Sequence, residues 1–522
     1  MLKFSLLFTF FAYLCSSHAI AGKRNILILN IDDLKPTLGC YGDELAKTPN
    51  IDQLASKGTV MQANYCQQAV CAASRVSFFT GMRPDSTGIR DLHTFMRDVH
   101  PNIVTMPEHF KNHGYDSIGI GKILHGAKHD DPQSWTRRNE WDLEYPEGMN
   151  HPVVTKFQTP GVHEVFKTFS SKNKRIKTQA LMKKLKSQNL YPATEAFDVP
   201  DDAYPDGRIA DLGIRELKEY AKNSKNFYLV LGFRKPHLPF NAPKKYWQLY
   251  DRSKFKIHPH QIKKNDRPKY AYHTYGELGA YTGYTMGKKV EQDKQIELIH
   301  GYYACVSYVD AQIGKVMQAL RETGLDQNTT VVLWGDHGWH LGDHGIWCKH
   351  SNFEQATKSP LIIVDPDHSG KQTTSSETEF IDVFPTLCEI AGLEKPKQLE
   401  GKSLVPILND PNAKVKEGAI SQYTRYSGTG YAMRSGPYRL VLWMKKDFIS
   451  FKKFDEQMVN AMELYDYDKD PHETKNFEKD PEYATILDNM KRKMLRYFDS
   501  IHDEKRASDM LAKIKKHSRK KH

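Results

Sequence analysis

From Arg24 the chain runs Asn25-Ile26-Leu27-Ile28-Leu29-Asn30-Ile31 and then breaks into Asp32-Asp33. A short run of apolar residues, too brief for a helix and closed by acids, is the pattern of a parallel strand buried on both faces. Similar runs recur at 117–120, 227–233, 330–334 and 361–364. Between them, helical spacing appears at 51–57, 209–221 and 294–321. Strands alternating with helices predict an α/β fold, a sheet sandwiched by helices. Ligands of such sheets lie beyond the C-terminal ends of the strands. Asp32, Asp33, Lys122, His237, Asp336 and His337 all closely follow predicted strands, so one shared site is expected there.

The texture changes near residue 400. Segments 419–426, 438–443 and 462–467 read as strands, with turns at Gly428-Thr429-Gly430 and Gly436-Pro437, and 481–501 reads as a closing amphipathic helix. The expected organisation is a catalytic domain over 22–400, a smaller C-terminal α+β subdomain with a small antiparallel sheet over 401–502, and a basic tail over 503–522. Segments 172–186 and 251–288 are polar and irregular and read as surface insertions.

Composition narrows the function classes. The mature chain has no run of roughly 18 apolar residues, so no membrane span is expected. Residues 1–21 have the form of a signal peptide: Lys3, a short apolar run at 6–14, and the small-x-small site Ala19-Ile20-Ala21. The protein is therefore expected to be secreted or periplasmic. A net charge of +12 suits a polyanionic partner. No zinc-knuckle, helix-turn-helix or RNP signature points to nucleic acid, and an anionic polysaccharide fits export better. Seven cysteines, at 15, 40, 66, 71, 305, 348 and 388, are too irregular for a disulfide framework but leave room for one or two bridges.

The sharpest motif is Cys71-Ala72-Ala73-Ser74-Arg75, followed by four residues and Thr80-Gly81. A helix over 72–80, stopped by Gly81, would place Cys71 at its N-terminus. Free backbone amides and the helix dipole favour an anion there. Arg75, one turn on, points back toward that spot with a permanently charged guanidinium. Asp32-Asp33 and Asp336-His337 form a second constellation, whose hard carboxylate oxygens suit calcium or magnesium. Lys122 with His125, His237 in the loop Lys235-Pro236-His237-Leu238-Pro239, and Lys349 in Trp347-Cys348-Lys349-His350 are further candidates.

Together these motifs resemble the formylglycine-dependent sulfatases of the alkaline phosphatase superfamily, and within them the iduronate-2-sulfatase-like subgroup. The subgroup cues are Asp32-Asp33-Leu34-Lys35-Pro36, Leu38-Gly39-Cys40-Tyr41-Gly42, Gln67-Gln68-Ala69-Val70-Cys71, Lys235-Pro236-His237 and Asp336-His337-Gly338-Trp339. The resemblance implies an alkaline-phosphatase-like sheet. It implies Cys71 converted to formylglycine (3-oxoalanine) by a formylglycine-generating enzyme. It also implies one calcium ion held by Asp32, Asp33, Asp336, His337 and the modified Cys71.

By the same resemblance, the hydrated aldehyde attacks sulfur, His237 protonates the leaving sugar oxygen, and Lys349 steadies the sulfate. His125 then takes the proton of the second hydroxyl and sulfate is expelled, while Arg75 and Lys122 hold the hydrate. His93, Trp339, Trp347 and His350 are candidate sugar contacts. Histidines stand at 340 and 350 where the subgroup has a small residue and a tyrosine, near the expected sugar subsite. The resemblance therefore does not carry iduronate 2-sulfate over as the substrate. The expected function is hydrolysis of sulfate esters on a uronate-containing poly- or oligosaccharide. A phosphonate monoester or phosphodiester hydrolase of the same superfamily, and a non-catalytic binder of sulfated glycans, are the alternatives.

Overall fold

The computed structural model describes residues 23–137, 151, 153–172, 177–273, 276–368, 370–425, 428–445 and 455–501. The expected signal peptide and basic tail lie outside the described residues. Seven strands build the main sheet: β1 (Asn25–Ile31), β2 (Thr59–Tyr65), β3 (Asp116–Gly121), β4 (Phe227–Phe233), β5 (Thr329–Gly335), β6 (Leu361–Val364) and β7 (Gln372–Glu379). Their spatial order is β7-β2-β6-β5-β1-β4-β3.

β1 pairs in parallel with β4 and β5 and lies inside the sheet, which is why every residue of Asn25–Ile31 is buried. Its side chains alternate between two cores. Leu27, Leu29 and Ile31 join one apolar cluster, and Ile26 and Ile28 join the other. The first core is covered by α2 (Pro205–Asn223) and α3 (Gln292–Glu322). The second is covered by α1 (Cys71–Thr80), where Phe78 stacks on Trp334 of β5 at 3.7 Å.

The structure departs from the sequence reading at several points. β6 runs antiparallel to both β2 and β5, so the sheet is mixed. An apolar run reports burial on both faces but carries no sign of strand direction. β2 and β7 were not read as strands because their polar residues break the apolar run. Within the supposed irregular segment 172–186, a helix occupies Thr178–Ser187 and buries Leu181 and Leu185.

The C-terminal unit is an antiparallel meander of β8 (Ala419–Arg425), β9 (Gly428–Ser435), β10 (Tyr438–Lys445) and β11 (Val459–Asp466). Gly428-Thr429-Gly430, expected to turn, instead opens β9, because its residues pair with both β8 and β10. α4 (Ala484–Ile501) closes one face through Met490, Met494 and Phe498 against Leu440, Leu442 and Leu464. Gln422 of β8 donates its backbone N–H to the Gln67 carbonyl, which fastens this sheet beside the loop leading to Cys71. The cysteines at 40, 66, 71, 305, 348 and 388 are all free thiols.

Candidate active site

Register assembles the acids. Ile31 of β1 lies level with Gly335 of β5 and Phe233 of β4, so Asp32-Asp33 and Asp336-His337 leave the sheet side by side. Asp33 adopts a left-handed backbone (φ 60°), and its N–H bonds Asp336 Oδ1 at 2.8 Å. On the next strand pair, Gly121 and Gly232 face each other, and Lys122 N–H bonds the Gly232 carbonyl. A Cβ on Gly232 would lie 2.2 Å from the Lys122 carbonyl oxygen, so glycine there is what lets Lys122 sit this close to Asp32.

Cys71 opens α1 with 2% of its surface exposed. Its Sγ lies 3.3 Å from His337 Nε2, 3.8 Å from Asp33 Oδ1 and 3.8 Å from Lys122 Nζ. His337 Nδ1 faces the Gly338 carbonyl, which leaves Nε2 aimed at the thiol and the acids. Asp33, Cys71, Asp336 and His337 each present an atom within 4.8 Å of the other three, and all four are buried. Asp32, Asp33 and His237 form an overlapping group. Such an oxygen-rich, buried set fits a hard divalent cation, with His337 as the one nitrogen donor.

Arg75 is more enclosed than its expected role implies. Its Nε donates to Asp336 Oδ2 at 2.9 Å and its Nη2 to Asp32 Oδ1 at 2.7 Å. Its Nη1 donates to the Lys122 and Ile123 carbonyls, both at 2.8 Å. With no exposed surface, it braces the two carboxylates from behind. Lys122 Nζ bonds the other Asp32 oxygen.

Charge crowding moves the titrations. Burial, together with the neighbouring Asp32 and Cys71, raises Asp33 to about 7 against the pull of His237 and Lys349. Burial opposes a charge on His337, yet Asp336 and Cys71 push it up to about 9. Burial and the Lys122 ammonium lower His125 to about 3. His125 is thus a neutral imidazole at ordinary pH, and its Nδ1 has no hydrogen-bond partner among the described residues.

The opposite wall carries Lys349 and His237. Lys349 Nζ sits 2.8 Å from Asp33 Oδ1 and 5.0 Å over the Trp339 ring. His237 turns Nδ1 to the Leu238 carbonyl and Nε2 inward, 3.8 Å from Asp33 Oδ2. Glu277 joins them, with Oε1 2.9 Å from His237 Nε2 and Oε2 3.3 Å from Lys349 Nζ. It comes from segment 251–288, expected to be a surface insertion with no site role. No motif surrounds it, so only the fold reveals it.

The candidate sugar contacts separate. His350 is half-buried, with Nδ1 2.9 Å from the Tyr423 hydroxyl of β8 and Nε2 4.0 Å from Glu277. Trp339 lies beneath Lys349 and is 1% exposed, and Trp347 is inside the core at 3%. His93 is exposed on a turn capped by Asp91. His340, expected beside the sugar, is buried between Asp343 and Ser351 Oγ, so it holds its own hairpin instead.

A central sheet whose C-terminal edge gathers acids, a histidine and a cysteine at a helix N-terminus has the layout of an alkaline-phosphatase-like α/β fold. Residues 24–393 match the sulfatase family model, and residues 342–500 match the N-sulphoglucosamine sulphohydrolase C-terminal model. The chain belongs to the sulfatase family, the hydrolases of sulfuric esters. Iduronate 2-sulfatase of Mus musculus is 30% identical over 570 residues, covering 94% of this chain and 98% of the relative. A solved 2-O GAG sulfatase superposes with a TM-score of 0.68 at 21% identity, covering 93% of this chain and 94% of the other. The phosphonate monoester hydrolase of Agrobacterium radiobacter has the same fold, with a TM-score of 0.68 at 18% identity over 92% and 96% of the two chains.

Proposed function

We propose that this sulfatase is exported and removes a sulfate ester from a uronate-containing glycan, using calcium and a formylglycine made from Cys71. The observation that carries the reading is the position of Cys71 Sγ. It lies at a helix N-terminus, 3.3 Å from His337 and 3.8 Å from both Asp33 and Lys122, with His237 and Lys349 across the cleft. The iduronate 2-sulfatase relative and the 2-O GAG sulfatase fold support a sulfated glycan as substrate.

Asp32, Asp33, Asp336, His337 and position 71 would hold the ion, which supplies positive charge to polarise a sulfate oxygen and favour an ionised nucleophile. A hydrated aldehyde at position 71 would offer two hydroxyls on one carbon, where serine would offer one. The chain's own residues do the remainder. Lys349 is buried with a charge that Asp33, Cys71 and Glu277 strengthen against burial. It is placed to bind the sulfate oxygens. His237 Nε2 is the ring atom placed to give a proton to the leaving sugar oxygen, since Nδ1 is engaged by Leu238, and Glu277 holds it at 2.9 Å in the structure. His125 is neutral, the form a proton acceptor needs, and burial and the Lys122 ammonium keep its basicity low. Trp339 and Phe240, both 1% exposed, pack edge to face under Lys349.

The test is sulfate release from a panel of defined sulfated disaccharides, alongside aryl sulfate and aryl phosphodiester. Turnover of a 2-O-sulfated uronate supports the reading. Faster cleavage of the phosphodiester overturns it. Mass spectrometry of the peptide carrying position 71, from the native host, reports the aldehyde; an unmodified thiol throughout would favour a glycan binder.

A further inference from the structure

Glu277 is an acid in a place where the reaction needs an anion of its own. Its two carboxylate oxygens bridge His237 Nε2 at 2.9 Å and Lys349 Nζ at 3.3 Å. These are the two groups that would meet the leaving oxygen and the sulfate. One oxygen on an imidazole and the other on an ammonium is the same two-point contact that a sulfate ester makes with such a pair. His350 closes the third side at 4.0 Å.

The contact is not one that helps His237 act as an acid. A residue that orients a catalytic imidazole bonds the nitrogen turned away from the substrate. In His237 that nitrogen is Nδ1, and the Leu238 carbonyl already has it. Glu277 takes Nε2, the only nitrogen left for the sugar oxygen. Both cannot use it at once. Leu278, buried beside Glu277, anchors the backbone, and the glutamate side chain can leave by rotation about its own bonds.

We propose that Glu277 is a tethered competitor for the sulfate-ester subsite: its carboxylate holds the His237–Lys349 pair until a substrate anion displaces it. The consequence is a lower affinity for every ligand of this subsite, by one shared factor. Inorganic sulfate, the product, has only the ion and this pair to contact, so the shared penalty leaves it a weak binder. A sulfated sugar adds contacts elsewhere and succeeds. The inference rests on the sulfate-ester reading for the identity of the ligand, but its test does not need turnover.

The affinity of a ligand falls by the fraction of molecules whose subsite is open. If Glu277 covers the pair nine-tenths of the time, removing its charge tightens binding about tenfold. The experiment compares calcium-loaded wild type with Glu277→Gln, which keeps the shape, and Glu277→Ala, which removes it. Inorganic sulfate binding is measured by calorimetry, and kcat and KM on a sulfated disaccharide. The expected result is sulfate binding about tenfold tighter in both variants, KM lower, and kcat not reduced. A fall in kcat with sulfate affinity and KM unchanged would instead make Glu277 part of the proton-transfer machinery and overturn the proposal. So would no change in any quantity. Tighter sulfate binding in a protein that hydrolyses no sulfate ester would leave the competitor standing and refute the enzymatic reading. Melting curves of both variants guard against misfolding, and the near-isosteric Gln variant carries the test if Ala unfolds.

Discussion

Arg75→Lys is the substitution whose cost the structure specifies most fully. The charge is kept, and the length is close, but the fork is lost. Arg75 spans two carboxylates that follow different strands, Asp32 and Asp336, and two carbonyls, Lys122 and Ile123, through three separate nitrogens. A lysine ammonium is a single point and reaches one side of that set. At least two acceptors are stranded in a region with no water access. Each costs about 1–3 kcal/mol, which gives about 2–6 kcal/mol in all. Lys122 still holds Asp32, and His337 lies 3.5 Å from Asp336, so the lower half, about 2–4 kcal/mol, is expected. That is a large share of the roughly 5–15 kcal/mol available to a folded domain. Urea unfolding with a chelator present measures it directly. Excess calcium should narrow the gap, because a bound cation neutralises the same two carboxylates. A loss below about 0.5 kcal/mol, the range of an ordinary surface change, would refute the view that Arg75 braces the acids.

Cys71→Ser is expected to fold normally and lose at least about a thousandfold in turnover, measured as sulfate release. His237→Ala should slow a sugar sulfate by about a hundredfold or more yet scarcely affect an aryl sulfate with a good leaving group; equal losses would deny it the role of proton donor. Stripping divalent ions should abolish activity and lower the melting temperature, and calcium at 100 times its dissociation constant should restore about 2.7 kcal/mol. His109, which packs against Phe110 and Phe384 away from the site, is lowered from 6.5 to about 4 by burial and by His113. The unfolded chain therefore takes up a proton first as pH falls, and stability is lost between pH 6.5 and 4. His109→Gln should remove about 1–2 kcal/mol of the wild-type difference between pH 7.5 and 5.

Much of the site was legible before any coordinates, because its chemistry is carried by short local patterns. Asp32-Asp33 and Asp336-His337 each end an apolar run that could only be a buried strand. Cys71 and Arg75 are one helical turn apart. What escaped was whatever depended on partners far along the chain. The direction of β6 is set by β2 and β5 on either side of it, not by Leu361–Val364. His340 reads as a sugar neighbour because it stands where the resembling subgroup has a small residue, but Asp343 and Ser351 turn it inward.

The chain alone decided which residue types are available and that a sheet would collect them at one edge, since burial and period are local properties of an apolar run. Only the folded molecule decided who faces whom. Arg75 braces the carboxylates that follow β1 and β5 because the register of those strands puts both within reach of one guanidinium. Glu277 reaches His237 and Lys349 across gaps of 40 and 72 residues, and Tyr423 reaches His350 from the C-terminal sheet across 73. Contacts of that span leave no periodic trace in a sequence, because they are fixed by packing between elements rather than by spacing within one.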